Sequence, residues 1–311
     1  MKVLKTMRAA TVDGRGVVSI RELPVPSVGR REVLIAVDTA GVGSWDASMR
    51  PDSDDPLVPG IDGAGTVVAV GSRVRRFRVG DRVYSYSYEN RKGGFHAEYV
   101  AVDAKKVARV PRGLDMKGAG AIATTGLTAL QGVDDALHVK KGERMIVHGA
   151  SGGVGSLALQ FAKLRGARVL ATASGRDGLA LVRRLGADAA VDGKRNDIRA
   201  AARHFVPDGV DAVLAFAGGK PLLRCLDALT LGGRLAYPNG VEPVPRKRRR
   251  VKTTAYDGTP GVREFERLNR AIEEAKLKVP IAKTYSLARA GAAYDFVEEG
   301  HVVGKVVIRI R

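Results

Sequence analysis

Hydrophobic positions change their period once along this chain. Up to about residue 112 they come in short runs, several of them strictly alternating, at 16–20, 32–37, 65–70, 82–84 and 97–102. Turn residues separate the runs and no stretch keeps a helical period, which predicts a compact antiparallel or barrel-like domain. From about Met116 the pattern lengthens into an Ala-rich helix over 117–136. Buried-type strands at 145–147, 167–173, 189–191, 210–216 and 234–237 then alternate with helices leaving the turn at 154 and over 179–185, 198–205 and 221–229. Strands and helices in that rhythm predict an α/β fold with a doubly wound parallel sheet. A basic stretch follows, then an amphipathic helix over 262–277, strand-like residues at 285–287, a further helix, and a terminal strand over 302–310. That last strand is expected to complete the N-terminal domain. The expected domains are therefore 1–115, completed by 280–311, and 116–279.

The stretch that organises the second half is His148-Gly149-Ala150-Ser151-Gly152-Gly153-Val154-Gly155. An apolar strand enters it, and Val154, Leu157, Ala158, Phe161 and Leu164 leave it at helical spacing. Glycines at a strand-to-helix turn let a pyrophosphate approach the backbone, and the first N–H groups of the helix point at the anion. Ala150 stands where the first glycine of G-x-G-x-x-G usually does, and a turn that serves packing alone is the competing reading. At the end of the next strand, Ser174-Gly175-Arg176 replaces the acidic residue that would accept from an NAD ribose. A hydroxyl and a guanidinium there suit a 2′-phosphate, so the cofactor expected is NADPH, with a solvated turn charge as the alternative for Arg176. Ligands of such sheets lie beyond the carboxyl ends of the strands, which adds Ala217, Gly218, Asn239 and Gly240 to the cofactor-lining set.

Composition narrows the class further. With 311 residues the chain can hold two cored domains, and 45% hydrophobic with 27% charged residues reads as globular. No apolar run is long enough to cross a bilayer and the N-terminus lacks a secretory signal, so a cytoplasmic protein without membrane insertion is expected. Cys225 is the one cysteine, which excludes an internal disulfide and a cysteine-rich zinc site. The net charge of +19 would attract polyanions. The densest run, 246–250, has no interleaved aromatics for stacking bases, so only nonspecific nucleic-acid contact is expected, and the run reads as a solvated or cofactor-side loop.

Taken together, Val79-Gly80-Asp81-Arg82-Val83, Gly93-Gly94-Phe95-His96-Ala97-Glu98-Tyr99, Gly126-Leu127-Thr128-Ala129, the glycine turn and Gly300-His301-Val302-Val303-Gly304-Lys305 occur in an order that resembles the medium-chain dehydrogenase/reductase superfamily. More narrowly the chain resembles its zinc-free quinone oxidoreductase branch, the zeta-crystallin-like group. The resemblance implies a GroES-like catalytic domain, a Rossmann domain, NADPH bound in the cleft between them, and a homodimer. It implies that Thr124, Thr128 and Lys305 touch the cofactor and that Asp46 orients the pocket near the nicotinamide, against the plainer readings of helix packing, a solvated lysine and a surface carboxylate. Metal is not expected, because Gly43 and Ile61 stand where zinc-dependent relatives carry ligands. Two departures stand out: Ser44 replaces a frequent Asn, and Asp192-Gly193-Lys194 lacks the Tyr that often covers the 2′-phosphate. Phosphate recognition then rests on Ser174 and Arg176, helped by Lys194 or the basic loop.

The activity these observations imply is metal-free hydride transfer from NADPH to a quinone or related activated carbonyl. A quinone can take its proton from solvent, whereas an α,β-unsaturated carbonyl yields an enolate that needs a nearby donor such as Ser44, Tyr84 or Tyr86. An enoyl or alkenal reductase is therefore the alternative within the same chemistry. A nucleic-acid-binding protein on a reductase fold and an NADPH sensor without turnover are the alternatives outside it.

Overall fold

The computed structural model describes residues 5–51, 57–88, 90–195 and 197–311. They divide into two compact units, one comprising Met1–Thr124, Pro260–Glu273 and Ile281–Arg311, the other Thr125–Thr259 and Glu274–Pro280.

The first unit opens with β1 (Thr6–Val12) and β2 (Val18–Pro24), an antiparallel pair. After it come β3 (Glu32–Val42), the one-turn helix α1 (Ser44–Ser48), β4 (Asp62–Val70), β5 (Arg82–Tyr86), β6 (Tyr99–Asp103) and β7 (Val107–Arg109). Strand β3 is the backbone of this unit, pairing antiparallel with β4 along one edge and with β6 along part of its length. Its apolar residues on both faces are buried: Val33, Ile35 and Val37 join one core, while Leu34 and Ala36 join another with Met7, Ala9 and Tyr99. Two-sided burial explains why β3 runs five residues past the alternating stretch 32–37 that predicts it, through Thr39 and Ala40 to Val42. β1 has no counterpart among the predicted strands, because TMRAATV packs with Ala rather than with large β-formers. Helix α2 (Met116–Gln131), predicted within 117–136, begins in this unit, and a turn of π-helix, Gly132–Ala136, extends it.

The second unit holds β8 (Arg144–His148), α3 (Gly153–Leu164), β9 (Arg168–Ala173), α4 (Gly175–Arg184), β10 (Ala189–Asp192), α5 (Ile198–Phe205), β11 (Val210–Ala215), α6 (Gly219–Leu226), β12 (Leu229–Pro238) and β13 (Lys252–Tyr256). Among the described residues its sheet has six strands in the order β10-β9-β8-β11-β12-β13, every pair parallel. Numbered within the unit this is 3-2-1-4-5-6, the order of dinucleotide-binding sheets, with its switch point between β8 and β11. Both strands at the switch are almost wholly buried, as their near-continuous Val, Ile, Leu and Ala predict.

Strand β13 corrects the reading of the basic run. Lys252 pairs in register with Arg234, near the start of the buried part of β12, and the Gly232 N–H donates to the Arg250 carbonyl at 3.1 Å. The run therefore enters β13 at the amino edge of the sheet, opposite the rim where cofactors bind. A cofactor-side loop, and any help from it with a 2′-phosphate, are excluded by that direction. Arg248 is pinned there, its Nη1 donating to Asp227 at 2.7 Å.

The chain then forms α7 (Val262–Ala275), β14 (Ile281–Ser286), α8 (Ala290–Glu298) and β15 (Lys305–Arg309). β15 pairs antiparallel with β3 and parallel with β14, so the terminal strand does complete the first unit's sheet. Most of α7 also groups with the first unit rather than with the 116–279 domain expected from sequence. The cause is visible in its buried face: the Phe265 ring stands edge-on to Tyr84 of β5 at 5.1 Å, and Asn269 takes that tyrosine's hydroxyl. Among the described residues no helix is long and apolar enough to cross a membrane.

Candidate functional site

In the second unit the glycine turn lies between β8 and α3, at the switch point. Gly149 has φ +77°, and a Cβ there would approach Phe216 and Ala217, the residues just after β11. Gly152 is the N-cap of α3 and offers no side chain to cap it. The Ser156 N–H is the first to close a helical bond, onto the Gly152 carbonyl at 3.0 Å, which leaves the N–H groups of Gly153, Val154 and Gly155 without helical acceptors. A Cβ on Gly152 would meet only the Gly149 carbonyl oxygen, at 3.5 Å, so open space lies over it. A Cβ on Gly155 would collide with that same oxygen, because here the helix packs against the turn. The two glycines thus have different reasons: one admits a ligand and the other admits the helix. Ala150 is fully buried and Ser151 half-buried, consistent with a backbone-made cradle. These residues fit the pyrophosphate of a dinucleotide.

The turn is braced from β9. Thr172 Oγ1 accepts the Gly149 N–H at 3.2 Å and lies 2.7 Å from His148 Nδ1. The hydroxyl thus joins the first glycine of the turn to the histidine that ends β8. Burial holds the His148 pKa down at about 4, and Cys225 Sγ is 3.7 Å from the same nitrogen. The Cys225 thiol is itself buried and pushed up to about 12, which leaves it inert at neutral pH.

A pH dependence follows from His148. Its folded pKa lies below the ordinary 6.5, so between these values the unfolded chain binds more protons and stability falls as pH falls. From pH 7.5 to 4.5 this contributes a loss of roughly 2–3 kcal/mol. Urea denaturation of His148→Gln should show a shallower acid limb than the unmodified chain; parallel limbs would refute the assignment.

Along the same carboxyl rim, Ser174 caps α4 without a side-chain bond to it, and Gly175 and Arg176 are exposed. Sequence reasoning missed Asp192, at the end of β10. Its carboxylate accepts from the N–H groups of Gly175 (3.1 Å), Lys194 (3.0 Å) and Arg195 (3.3 Å). Burial would raise its pKa, but those amides outweigh it and hold the carboxyl below its usual range. Asp192 therefore shapes the 174–176 turn, leaving the side chains of Ser174 and Arg176 for a ligand. Ala217-Gly218 follows β11, and Asn239-Gly240 follows β12 with the Asn239 amide donating to Asp257 at 2.7 Å. The rim positions chosen from sequence thus gather in one unit. Thr128 is buried in α2, its carbonyl accepting from Tyr256 at 2.9 Å.

Within the first unit the expected catalytic set separates. Tyr84 is fully buried, its hydroxyl donates to Asn269 Oδ1 at 2.6 Å, and burial raises its pKa far above the ordinary value. As a proton donor to substrate it is corrected to a packing residue. Asp46 is fully buried as well, and both its oxygens are spent: Oδ2 on the Gly43 N–H at 2.7 Å and Oδ1 on the Ile61 N–H at 3.1 Å. It ties α1 to the start of β4, which corrects the expected role at the nicotinamide. Ser44 is exposed and Tyr86 half-buried. Thr124 donates its N–H to Asp62 at 2.9 Å. Lys305 is 9% exposed and lies inside this unit, with Nζ 3.5 Å from where a Gly43 Cβ would be. Burial drives the Asp62 pKa up, against the opposing charge of Lys305.

What sequence spacing could not assemble is a cleft of about 610 Å³ in this unit, lined by α1 and the loops around residues 57–61 and 87–94. Trp45 and Tyr88 stand edge to face there, 6.0 Å apart, each a little under half exposed at 45% and 46%. Arg50, Leu57, Ile61 and Arg91 complete the walls. Segments 45–51, 57–61 and 87–94 supply the lining; residues 52–56 and 89 lie outside the described residues.

The comparisons agree with this architecture. Residues 29–112 match the alcohol dehydrogenase GroES-like domain and residues 185–308 the zinc-binding dehydrogenase domain. The two positions at which the resemblance places zinc ligands do not fit that metal. Gly43 and Ile61 offer no ligand atom, the Lys305 ammonium approaches the first, and no metal-holding group of His, Cys, Asp or Glu occurs among the described residues. The quinone oxidoreductase of Sus scrofa is 30% identical over 99% of this chain and 98% of its own. The NADPH-dependent alkenal/one oxidoreductase, chloroplastic, of Arabidopsis thaliana is 32% identical over 98% of this chain and 80% of its own. A mycobacterial structure complexed with NADPH superimposes with a TM-score of 0.84 at 30% identity, covering 98% of this chain and 100% of the other. With the glycine turn at the switch point of a 3-2-1-4-5-6 sheet and this similarity over nearly the whole length, the chain belongs to the medium-chain dehydrogenase/reductase superfamily, in its quinone oxidoreductase branch.

Proposed function

We propose that the protein is an NADPH-dependent reductase of quinones or related activated carbonyl compounds, working without a metal. The observation that carries the reading is the open turn at Gly152, where three helix N–H groups stand free at the switch point of the parallel sheet. Those groups would hold the pyrophosphate, and Ser174 with Arg176 the 2′-phosphate. Bound there, NADPH would supply a hydride from its nicotinamide.

The first unit's residues favour a quinone over an enone. With Tyr84 committed to Asn269 and Asp46 to two amides, neither of these expected proton donors is at hand for an enolate. A reaction whose product anion is delocalised and takes its proton from water suits such a unit. Trp45 and Tyr88 offer flat apolar surface to a planar acceptor in the 610 Å³ cleft. The alkenal/one relative keeps enone reduction as the second reading.

NADPH consumption at neutral pH tests both. Steady turnover with 1,4-benzoquinone and little with simple enones is expected. Turnover with enones alone would make it an alkenal reductase, and none with either would make it a sensor. Trp45→Ala should raise the acceptor KM about tenfold, the worth of one aromatic contact of ~1.4 kcal/mol, and leave the NADPH Kd unchanged. An unchanged KM would remove the cleft from the acceptor path. A cytoplasmic homodimer completes the proposal, to be checked by light scattering and cell fractionation.

A further inference from the structure

We propose that the first unit carries a second anion site, unrelated to the glycine turn, which takes a compact ligand bearing two or more phosphates in tandem. The site is a concavity of about 400 Å³ lined by Arg31, Arg73, Arg75, Arg76 and Lys105 around the buried Val74. Three segments build it: the approach to β3, the loop between β4 and β5, and the turn after β6. Backbone bonds fasten them together, from the Arg73 N–H to the Arg30 carbonyl at 2.8 Å and from the Ala104 N–H to the Arg31 carbonyl at 2.9 Å.

Two of the guanidinium groups are set in place before any ligand arrives. Arg75 Nη1 donates to the carbonyls of Ser72 at 2.9 Å and Val74 at 3.2 Å. Arg76 Nη1 donates to the Ala104 carbonyl at 3.3 Å, and its guanidinium lies 5.3 Å from the centre of the Phe77 ring. Each of these bonds uses one nitrogen of a five-donor fork, so the remaining donors are held for an anion at reduced entropic cost.

Charge points to the ligand class. Asp103 is the acidic residue in the lining, and its Oδ1 already accepts the Lys105 N–H at 2.8 Å. Some arginines elsewhere are matched, as Arg144 is with Asp211, Arg165 with Asp134 and Arg234 with Glu143. Among the described residues none of the five cations here has a carboxylate within ion-pair distance. Five like charges around one hollow repel one another, and a polyanion relieves that repulsion. The volume is at the small end for molecular ligands and the lining has no aromatic ring for a base, which favours an oligophosphate over a nucleic-acid strand.

Calorimetric titration of the full chain with tripolyphosphate at physiological ionic strength tests this. Saturable one-to-one binding is expected, undiminished by saturating NADPH and absent with sulfate at matched ionic strength. The triple variant Arg31→Gln, Arg73→Gln, Lys105→Gln spares the two pinned arginines and should weaken binding at least tenfold. The triple variant Arg246→Gln, Lys247→Gln, Arg249→Gln removes equal charge and should not. Equal losses in both variants, displacement by NADPH, comparable sulfate binding, or tighter binding of a single-stranded oligonucleotide through the same arginines would each overturn the site.

Discussion

Gly152→Val should abolish useful NADPH binding, raising Kd more than a hundredfold, while thermal unfolding barely moves. The backbone at Gly152 is extended, with φ −77° and ψ 178°, a conformation valine adopts freely. An added Cβ meets only one oxygen, at ordinary contact distance, so the fold has room for it. A ligand does not. A side chain there would stand between the pyrophosphate and the N–H groups of the first turn of α3, and charge-assisted hydrogen bonds contribute about 1.5–3 kcal/mol each. Losing two of them exceeds the ~2.7 kcal/mol of a hundredfold change. Gly155→Ala is the informative contrast: its Cβ collides with the Gly149 carbonyl, so it should lower the unfolding temperature as well. If Gly152→Val binds NADPH normally by fluorescence titration, the turn is not where the dinucleotide lies.

Arg176→Ala should cost NADPH affinity about tenfold or more and leave NADH almost unaffected. The guanidinium begins α4 beside Ser174, and its loss removes a charge-assisted contact to the one group that distinguishes the cofactors. Exposure to solvent places the expected loss toward the low end of the range for such contacts. Equal weakening of both cofactors would refute the assignment, and would direct attention to Asp192, whose carboxylate stands beside the same turn.

The two halves of the molecule were legible to different degrees. In the second unit, periodicity marks each buried strand, and the rule that ligands lie beyond the carboxyl ends selects Gly149–Gly155, 174–176, 217–218 and 239–240 without coordinates. The edge strand β13 escaped, because KTTAY is half-exposed and shows neither alternation nor a solid apolar run. Once seen, its parallel pairing with β12 moved the basic run to the far edge of the sheet.

In the first unit, residue type suggested chemistry that packing withdrew. Tyr84 and Asp46 are polar residues of the kind active sites use, but a hydroxyl facing Asn269, 185 positions away, and a carboxylate between two amides are satisfied internally. Trp45 and Tyr88 had no sequence signal joining them, being 43 positions apart, one in α1 and the other on the loop after β5.

By itself, then, the sequence determined the alternation of strand and helix, the glycine turn and the residues along the parallel sheet's rim, since each follows from local period and from strand ends. Only tertiary structure decided which polar side chains are consumed by the fold, where the basic run faces, and which loops wall the cleft. Those depend on partners far apart in the chain, and no local pattern encodes the distance between them.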